Sequence, residues 1–327
     1  MRIIGTGSYF PSRIVESKTF DDRYGLESGW TEEKSGVKTR HYVTDETKAS
    51  MAKEAILEAI KNAKISFSEV DCIVSACGVM QQLIPCTASL IQRELGLENS
   101  GIPCFDINST CLSFVTAFDI VSSLIQTNRY KTVVIVSSDA ASTGLDTDDL
   151  KSSILFGDGA AAVIVRANLG DETSGILKYN QETYSIGADD ACIKGGSSYL
   201  HSTKYTKENE KEYLFHMNGT KLYEIASKKL KPLFDKTLAD SNVTMDDIKL
   251  VIPHQASLMA MKLIQRKLKI PNEKYMYNIQ NTGNMIATSI PNCIDYAIQS
   301  KMISRGDKVV LLGTSAGLSI GVLVFEY

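Results

Sequence analysis

No apolar run in the 327-residue chain approaches the roughly 18 residues of a membrane span. The opening stretch MRIIGTGSYFPSR is broken too early by Gly and Pro to read as a signal peptide. Charge of one sign is also missing: the net formal charge is −3, so no basic footprint for nucleic acid is present. The seven cysteines include no CxxC pair, their number is odd, and the chain is long. A disulfide framework is not expected. The four histidines are scattered, which argues against a structural zinc site or any other resident metal. No Pro/Gly/Ser linker divides the chain. These absences leave a globular protein expected in the cytoplasm, without nucleic acid or membrane as a partner.

What is present is an alternation of short apolar strands with helical patterns, the mark of α/β layers. Residues 1–8, 71–78, 131–138 and 160–166 read as strands of the first half. Residues 248–253, 274–279, 308–313 and 318–325 read as strands of the second. Helical spacing falls on 46–62, 87–97, 220–239, 257–268 and 286–299. KTVVIVSSDA and DKVVLLGTSA echo each other, which suggests two similar halves meeting near residue 170. The polar stretch 197–212 reads as a solvated loop.

Three residues stand where chemistry is commonly placed. Cys111 opens the run STCLSFVTAFDIVSSLIQ, whose apolar positions cover more than one helical face, so the helix is buried. Ser109 and Thr110 suit an N-cap. A helix start favours a thiolate and lowers a cysteine pKa, although a cysteine in an apolar stretch is most often plain core. His254 follows the strand IKLVIP, at the strand end where α/β folds bind ligands. Asn284 lies in the turn QNTGN, directly ahead of a helix. Taken singly, a packed histidine and a turn asparagine need no function.

Taken together, these segments resemble the β-ketoacyl-acyl-carrier-protein synthase III family of the thiolase superfamily. Cys111 and His254 are 143 positions apart, and His254 and Asn284 are 30 apart, in the order of that family's Cys-His-Asn triad. GWTEEKSGVKTRH resembles its Trp-containing coenzyme A segment, and FGDGAAA its glycine-rich run. FHMNG resembles its Met-x-Gly segment, and GTSAGLSIG its C-terminal glycine loop.

The resemblance implies a five-layered αβαβα fold of two similar halves, residues 1–170 carrying the cysteine and 171–327 the histidine and asparagine. It implies a homodimer. It also implies an acyltransferase that loads an acyl group from acyl-coenzyme A onto Cys111 and condenses it, with decarboxylation, with malonyl-coenzyme A or a malonyl-acyl carrier protein. No cofactor is implied; the thioesters are substrates. His254 and Asn284 would hold the enolate oxygen. The backbone N–H groups of Cys111, Ala316 and Gly317 would hold the second oxyanion. Trp30 would stack on adenine, with Lys34 and Lys151 near the phosphates. Phe156, Met217, Gly219 and Ser257 would line the substrate path, and Ile84 would close a neighbouring subunit's acyl pocket.

Some positions depart from the family pattern. Ser257 stands for Asn, Met259 for Arg and Lys34 for Arg, and the basic residue ahead of FGDG is shifted to Lys151. Arg and Lys are not equivalent for phosphate, so the departures point to a specialised relative in a secondary lipid or polyketide pathway. One rival keeps the fold and passes the acyl group to an alcohol or amine without decarboxylation. A papain-like hydrolase shares the residue order but not the sequence around Cys111. A non-catalytic partner subunit would not need an intact triad.

Overall fold

The continuous apolar runs form central strands. The computed structural model describes every residue, Met1–Tyr327. Its first sheet contains β1 (Arg2–Tyr9), β2 (Cys72–Ser75), β3 (Cys104–Asp106), β4 (Thr132–Ala140) and β5 (Asp158–Arg166), in spatial order β1-β5-β4-β2-β3. β4 is buried along its whole length, and β5 at all but Arg166, as strands covered on both faces must be. The second sheet contains β6 (Gly175–Thr183), β7 (Ile248–Pro253), β8 (Lys308–Ser315) and β9 (Ser319–Glu326), in order β6-β9-β8-β7. A parallel bridge from Val251 to Tyr275 extends the β7 edge. With that bridge taken as a strand position, both sheets run first, last, fourth, second, third in chain order. The echo read from the two apolar runs is thus an echo of topology: the runs are β4 and β8, the central strands.

Three large hydrophobic cores hold five layers together. Helices α1 (Lys48–Ala63) and α2 (Thr87–Glu94) pack on the outer face of the first sheet. Helices α3 (Ser113–Gln126) and α6 (Ser289–Gln299) share the central core with the inner faces of both sheets. Helices α4 (Gly219–Asp240) and α5 (Leu258–Leu268) cover the second sheet. Because α3 is enclosed by both sheets, its apolar residues extend around most of its surface; Phe114, Val115, Ala117, Phe118 and Val121 are all buried. No helix is long and apolar enough to cross a membrane.

The structure corrects the strand expected at 274–279. Asn272–Lys274 is a 3₁₀ turn, and a short helix begins at Ile279. Met276 N–H does reach Val251 O at 3.0 Å. The next donors, Asn278 and Ile279 N–H, turn instead to the side-chain oxygen of Gln255, at 2.8 and 3.1 Å. A buried side-chain acceptor thus ends the ladder after one bridge. The stretch 197–212 is mostly exposed and holds two 3₁₀ turns, Ser202–Lys204 and Lys207–Tyr213.

Candidate active site

Cys111 lies in a 3₁₀ turn, Thr110–Leu112, between β3 and α3. Thr110 has φ of +49°, a left-handed conformation unusual for a branched residue. Ser113 stabilises the turn: its hydroxyl accepts from Ser109 N–H at 2.8 Å and donates to Thr110 O at 2.7 Å. Leu112 is fully buried and anchors the turn in the second half. A Cβ at Gly313 of β8 would lie 3.0 Å from Leu112 and 3.1 Å from His254. The bare backbone there lets the Cys111 turn and His254 approach one strand together.

His254 directly follows β7. Its N–H donates to Leu312 O at 2.7 Å, extending the β7–β8 pairing. Its Nδ1 is buried without a hydrogen-bond partner. Burial pushes its pKa down from 6.5 to about 4, because the charged imidazolium loses hydration.

Asn284 is held at both ends of its amide. Oδ1 accepts from Ile286 N–H at 2.9 Å, and Nδ2 donates to Ala256 O at 3.3 Å. Its backbone crosses the segment beside β5: Asn284 N–H reaches Leu155 O at 2.8 Å, and Gly157 N–H reaches Asn284 O at 3.1 Å. Gly283 precedes it with φ of +65°. An added Cβ there would sit 2.9 Å from Leu155 O.

Cys111, His254 and Asn284 line a single cavity of about 520 Å³, most of whose wall is apolar. The size and character suit a small-molecule site. Of the other expected residues, Phe156, Met217, Gly219, Ser257 and Ala316 line it as well. Phe156 meets Phe215 edge-on at 5.4 Å. Ser257 also caps α5, accepting from Ala260 N–H at 3.3 Å.

Five expected residues stand outside the lining. Gly317 is skipped between Ala316 and Leu318. Trp30 opens the helix Trp30–Ser35 and packs, half-buried, against the small cluster that contains Phe156. Asp21 fixes that helix start by accepting from Gly29 and Thr31 N–H at 2.8 and 2.9 Å. Lys34 is exposed and paired with Glu33 at 3.1 Å. Lys151 is exposed on the short helix Leu150–Ser153. Ile84 is 83% exposed.

The expected lowering of the Cys111 pKa is not found. Burial pushes it up from 9.0 to about 12, and the nearby Asp139 carboxylate adds to the rise. The N–H groups of Ala316 and of Cys111 itself reach the sulfur and oppose the shift without overcoming it. Desolvation outweighs these donors.

Two charged residues of the site were missed in the sequence. Asp139 lies near the end of β4, after the apolar run Val133–Val136 and two serines, and is fully buried; a carboxylate at the end of a strand with such a run was the available signal. Lys48 lines the cavity. It sits one and two turns ahead of Ala52 and Ala55 on the buried stripe of α1, a spacing that marks it as inward-facing.

Models of the 3-oxoacyl-acyl-carrier-protein (ACP) synthase III family match residues 105–185 and, for its C-terminal part, residues 238–327. The β-ketoacyl-acyl-carrier-protein synthase III of Clostridium acetobutylicum is 32% identical over 334 aligned positions, covering 100% of this chain and 98% of that protein. The chain belongs to the β-ketoacyl-acyl-carrier-protein synthase III family. The crystal structure of the Aquifex aeolicus synthase III resembles this synthase with a TM-score of 0.88 and 30% identity, covering 100% of this chain and 99% of that one. The priming β-ketosynthase of the R1128 polyketide pathway shares the fold, with a TM-score of 0.88 at 24% identity, covering 99% of this chain and 95% of that one.

Proposed function

We propose that this synthase takes an acyl group from acyl-coenzyme A onto Cys111 and joins it to a malonyl thioester with loss of carbon dioxide, giving a β-ketoacyl product. The observation that carries the assignment of roles is the convergence of Cys111, His254 and Asn284 on one apolar cavity.

In the first step the Cys111 sulfur bonds to the acyl carbon, and the bond to the coenzyme A sulfur breaks. The thiol proton leaves with coenzyme A, which suits a cysteine protonated at rest. The tetrahedral oxyanion takes hydrogen bonds from the Cys111 and Ala316 N–H groups, with Gly317 giving the loop its backbone freedom. In the second step the malonyl carboxylate departs as carbon dioxide and leaves an enolate. Its oxygen accepts from His254 Nε2–H and Asn284 Nδ2–H. The enolate carbon attacks the acyl carbonyl, and Cys111 is released to regain a proton. Two neutral donors suffice because the breaking carbon–carbon bond supplies the electron pair, so the chemistry calls for no metal or organic cofactor. A histidine pushed to about 4 is a weak general base, which weighs against the rival transfer to an alcohol or amine.

Phe156, Met217, Gly219 and Ser257 form the channel wall for the pantetheine arm. Trp30 stacks on adenine at the surface, with Lys34 and Lys151 as phosphate contacts. The second thioester rides on coenzyme A or on an acyl carrier protein. We read residues 1–170 and 171–327 as the two halves; the division falls in the connection between β5 and β6. The synthase works as a homodimer, a reading supported by the exposed apolar segment of Val79, Met80, Leu83 and Ile84. All seven cysteines are free thiols, in keeping with a cytoplasmic protein.

The test is incubation with a set of acyl-coenzyme A esters, followed by malonyl-coenzyme A or malonyl-carrier protein. The expected result is a mass gain on Cys111, lost in Cys111→Ala, then carbon dioxide release with a β-keto product. Mass gain without carbon dioxide from either malonyl donor would turn the assignment to the alcohol or amine rival.

A further inference from the structure

Lys48 is the one charged side chain in the cavity wall. It is the first residue of α1 and only 9% exposed. Its ammonium donates to Val79 O at 2.8 Å and reaches Met80 O at 3.5 Å. Both acceptors are main-chain carbonyls, and an ammonium carries three donors. The adjoining peptide belongs to the nucleophile's surroundings: Gly78 O accepts from Asn108 Nδ2 at 3.3 Å, just upstream of Cys111. The surrounding wall is apolar, with Ala140, Ala141 and Ile286 among its residues.

An unsubstituted acyl chain filling this end would cover the remaining ammonium proton with methylene groups. Burying a charged donor without an acceptor is costly. A carboxylated chain would meet a different obstacle. Burial pushes the Asp139 pKa up and the nearby Lys48 charge opposes the rise; both Asp139 oxygens accept backbone N–H groups, which holds it as a carboxylate, so the pair is already balanced. A further carboxylate would leave an excess negative charge against a largely apolar wall. Asp139 does not itself answer the ammonium proton, because its oxygens accept from Gly78, Val79 and Ala287 N–H and from the Thr288 hydroxyl.

We infer that Lys48 determines acyl specificity, selecting donors whose chain carries a neutral oxygen acceptor, a ketone or a hydroxyl, in place of an unsubstituted alkyl chain. The inference rests on Cys111 as the acylated nucleophile. Lys48 binds the chain and takes no part in the bond changes.

The test uses acyl-coenzyme A esters of graded chain length in three matched sets: unsubstituted, oxo- or hydroxy-substituted, and terminally carboxylated. The rate of mass gain on Cys111 is read for wild type, Lys48→Met and Lys48→Arg, with melting temperatures alongside. At one or more lengths the wild type favours the oxo or hydroxy ester over its unsubstituted match by about tenfold or more. Lys48→Met brings that ratio near unity. Lys48→Arg keeps a preference but moves the favoured oxygen toward the thioester, because its side chain is longer. If Lys48→Met does not fold, Lys48→Arg decides, and an unmoved preference overturns the inference. Equal rates for all sets in the wild type, a preference for carboxylated esters, or a preference that survives Lys48→Met overturns it too. Acylation by no ester overturns the Cys111 assignment along with it, whereas acylation without preference overturns this inference alone.

Discussion

The Asp139 carboxylate accepts the Ala287 N–H at 3.1 Å, and this contact joins the central strand of the first sheet to the turn that holds Asn284. The other Asp139 oxygen takes Gly78 and Val79 N–H at 2.9 and 3.3 Å, so one buried side chain organises two edges of the site. Asp139→Asn removes the charge and presents an NH₂ group to backbone donors. The expected cost is about 2 kcal/mol or more of stability, from N–H groups left unpaired. Condensation on a preformed acyl-Cys111 should slow roughly tenfold to a hundredfold as Asn284 loses its support. Because Asp139 raises the Cys111 pKa, the variant should also alkylate faster with iodoacetamide at about pH 8. Unchanged alkylation would show that the carboxylate does not act on the sulfur.

His254 makes stability depend on pH in a defined direction. Its pKa falls from 6.5 unfolded to about 4 folded, so the unfolded chain binds the proton first as pH drops. The stabilisation is complete above about pH 6.5 and is lost as pH falls toward 4, amounting to roughly 2–3 kcal/mol. Denaturation of wild type and His254→Asn at about pH 7 and pH 4.5 checks this, with the difference between them shrinking if the histidine is responsible. Condensation by the acylated wild type should show no inflection near pH 6.5, since the imidazole stays neutral through it.

Much of this arrangement was legible in the chain. β7 matches its expected span residue for residue, because IKLVIP is bounded by clear breaks. The strand at 274–279 failed because Gln255, far away in sequence, supplies the acceptor that ends the pairing. The order and spacing of Cys111, His254 and Asn284 pointed to one site, and the three do line one cavity, but the surroundings of Cys111 were not legible. A helix start can be read from N-cap residues, whereas desolvation depends on what closes over the sulfur from the second half. Lys48 and Asp139 were missed for a similar reason: one belongs to a helix face and the other to a strand end, and only folding brings Lys48 to the cavity wall and Asp139 to the segments behind it.

The resting thiol has its own consequence. With its pKa pushed up to about 12, Cys111 should carbamidomethylate slowly near neutral pH. The rate should rise about tenfold per pH unit through the alkaline range, as the thiolate fraction does. Peptide mapping after timed iodoacetamide exposure isolates this cysteine from the other six. A rate that levels off below about pH 8 would place the thiolate within reach at rest and return the helix-start effect to first rank.

Gly157 offers the sharpest separation of the two chemical steps. A Cβ there would fall 2.1 Å from Thr282 O and 3.1 Å from the Arg40 Cβ, and backbone cannot yield as a flexible side-chain end would. Gly157→Ala must therefore push apart the crossing in which Gly157 N–H reaches Asn284 O and Asn284 N–H reaches Leu155 O. Overpacking of this kind costs about 1–3 kcal/mol. Its chemical effect should fall on one step. The Cys111 N–H belongs to a turn anchored by Leu112 against Gly313 of β8 and Gly321 of β9, and the Ala316 N–H to the loop between those strands, whereas the crossing is made by Leu155, Gly157 and Asn284. Acylation by acyl-coenzyme A should therefore stay within a few-fold of wild type, while condensation with the malonyl thioester drops by about a hundredfold as one enolate donor moves away. Single-turnover measurement of each step decides it. Equal losses in both would mean that the crossing supports the whole pocket and not the Asn284 donor in particular.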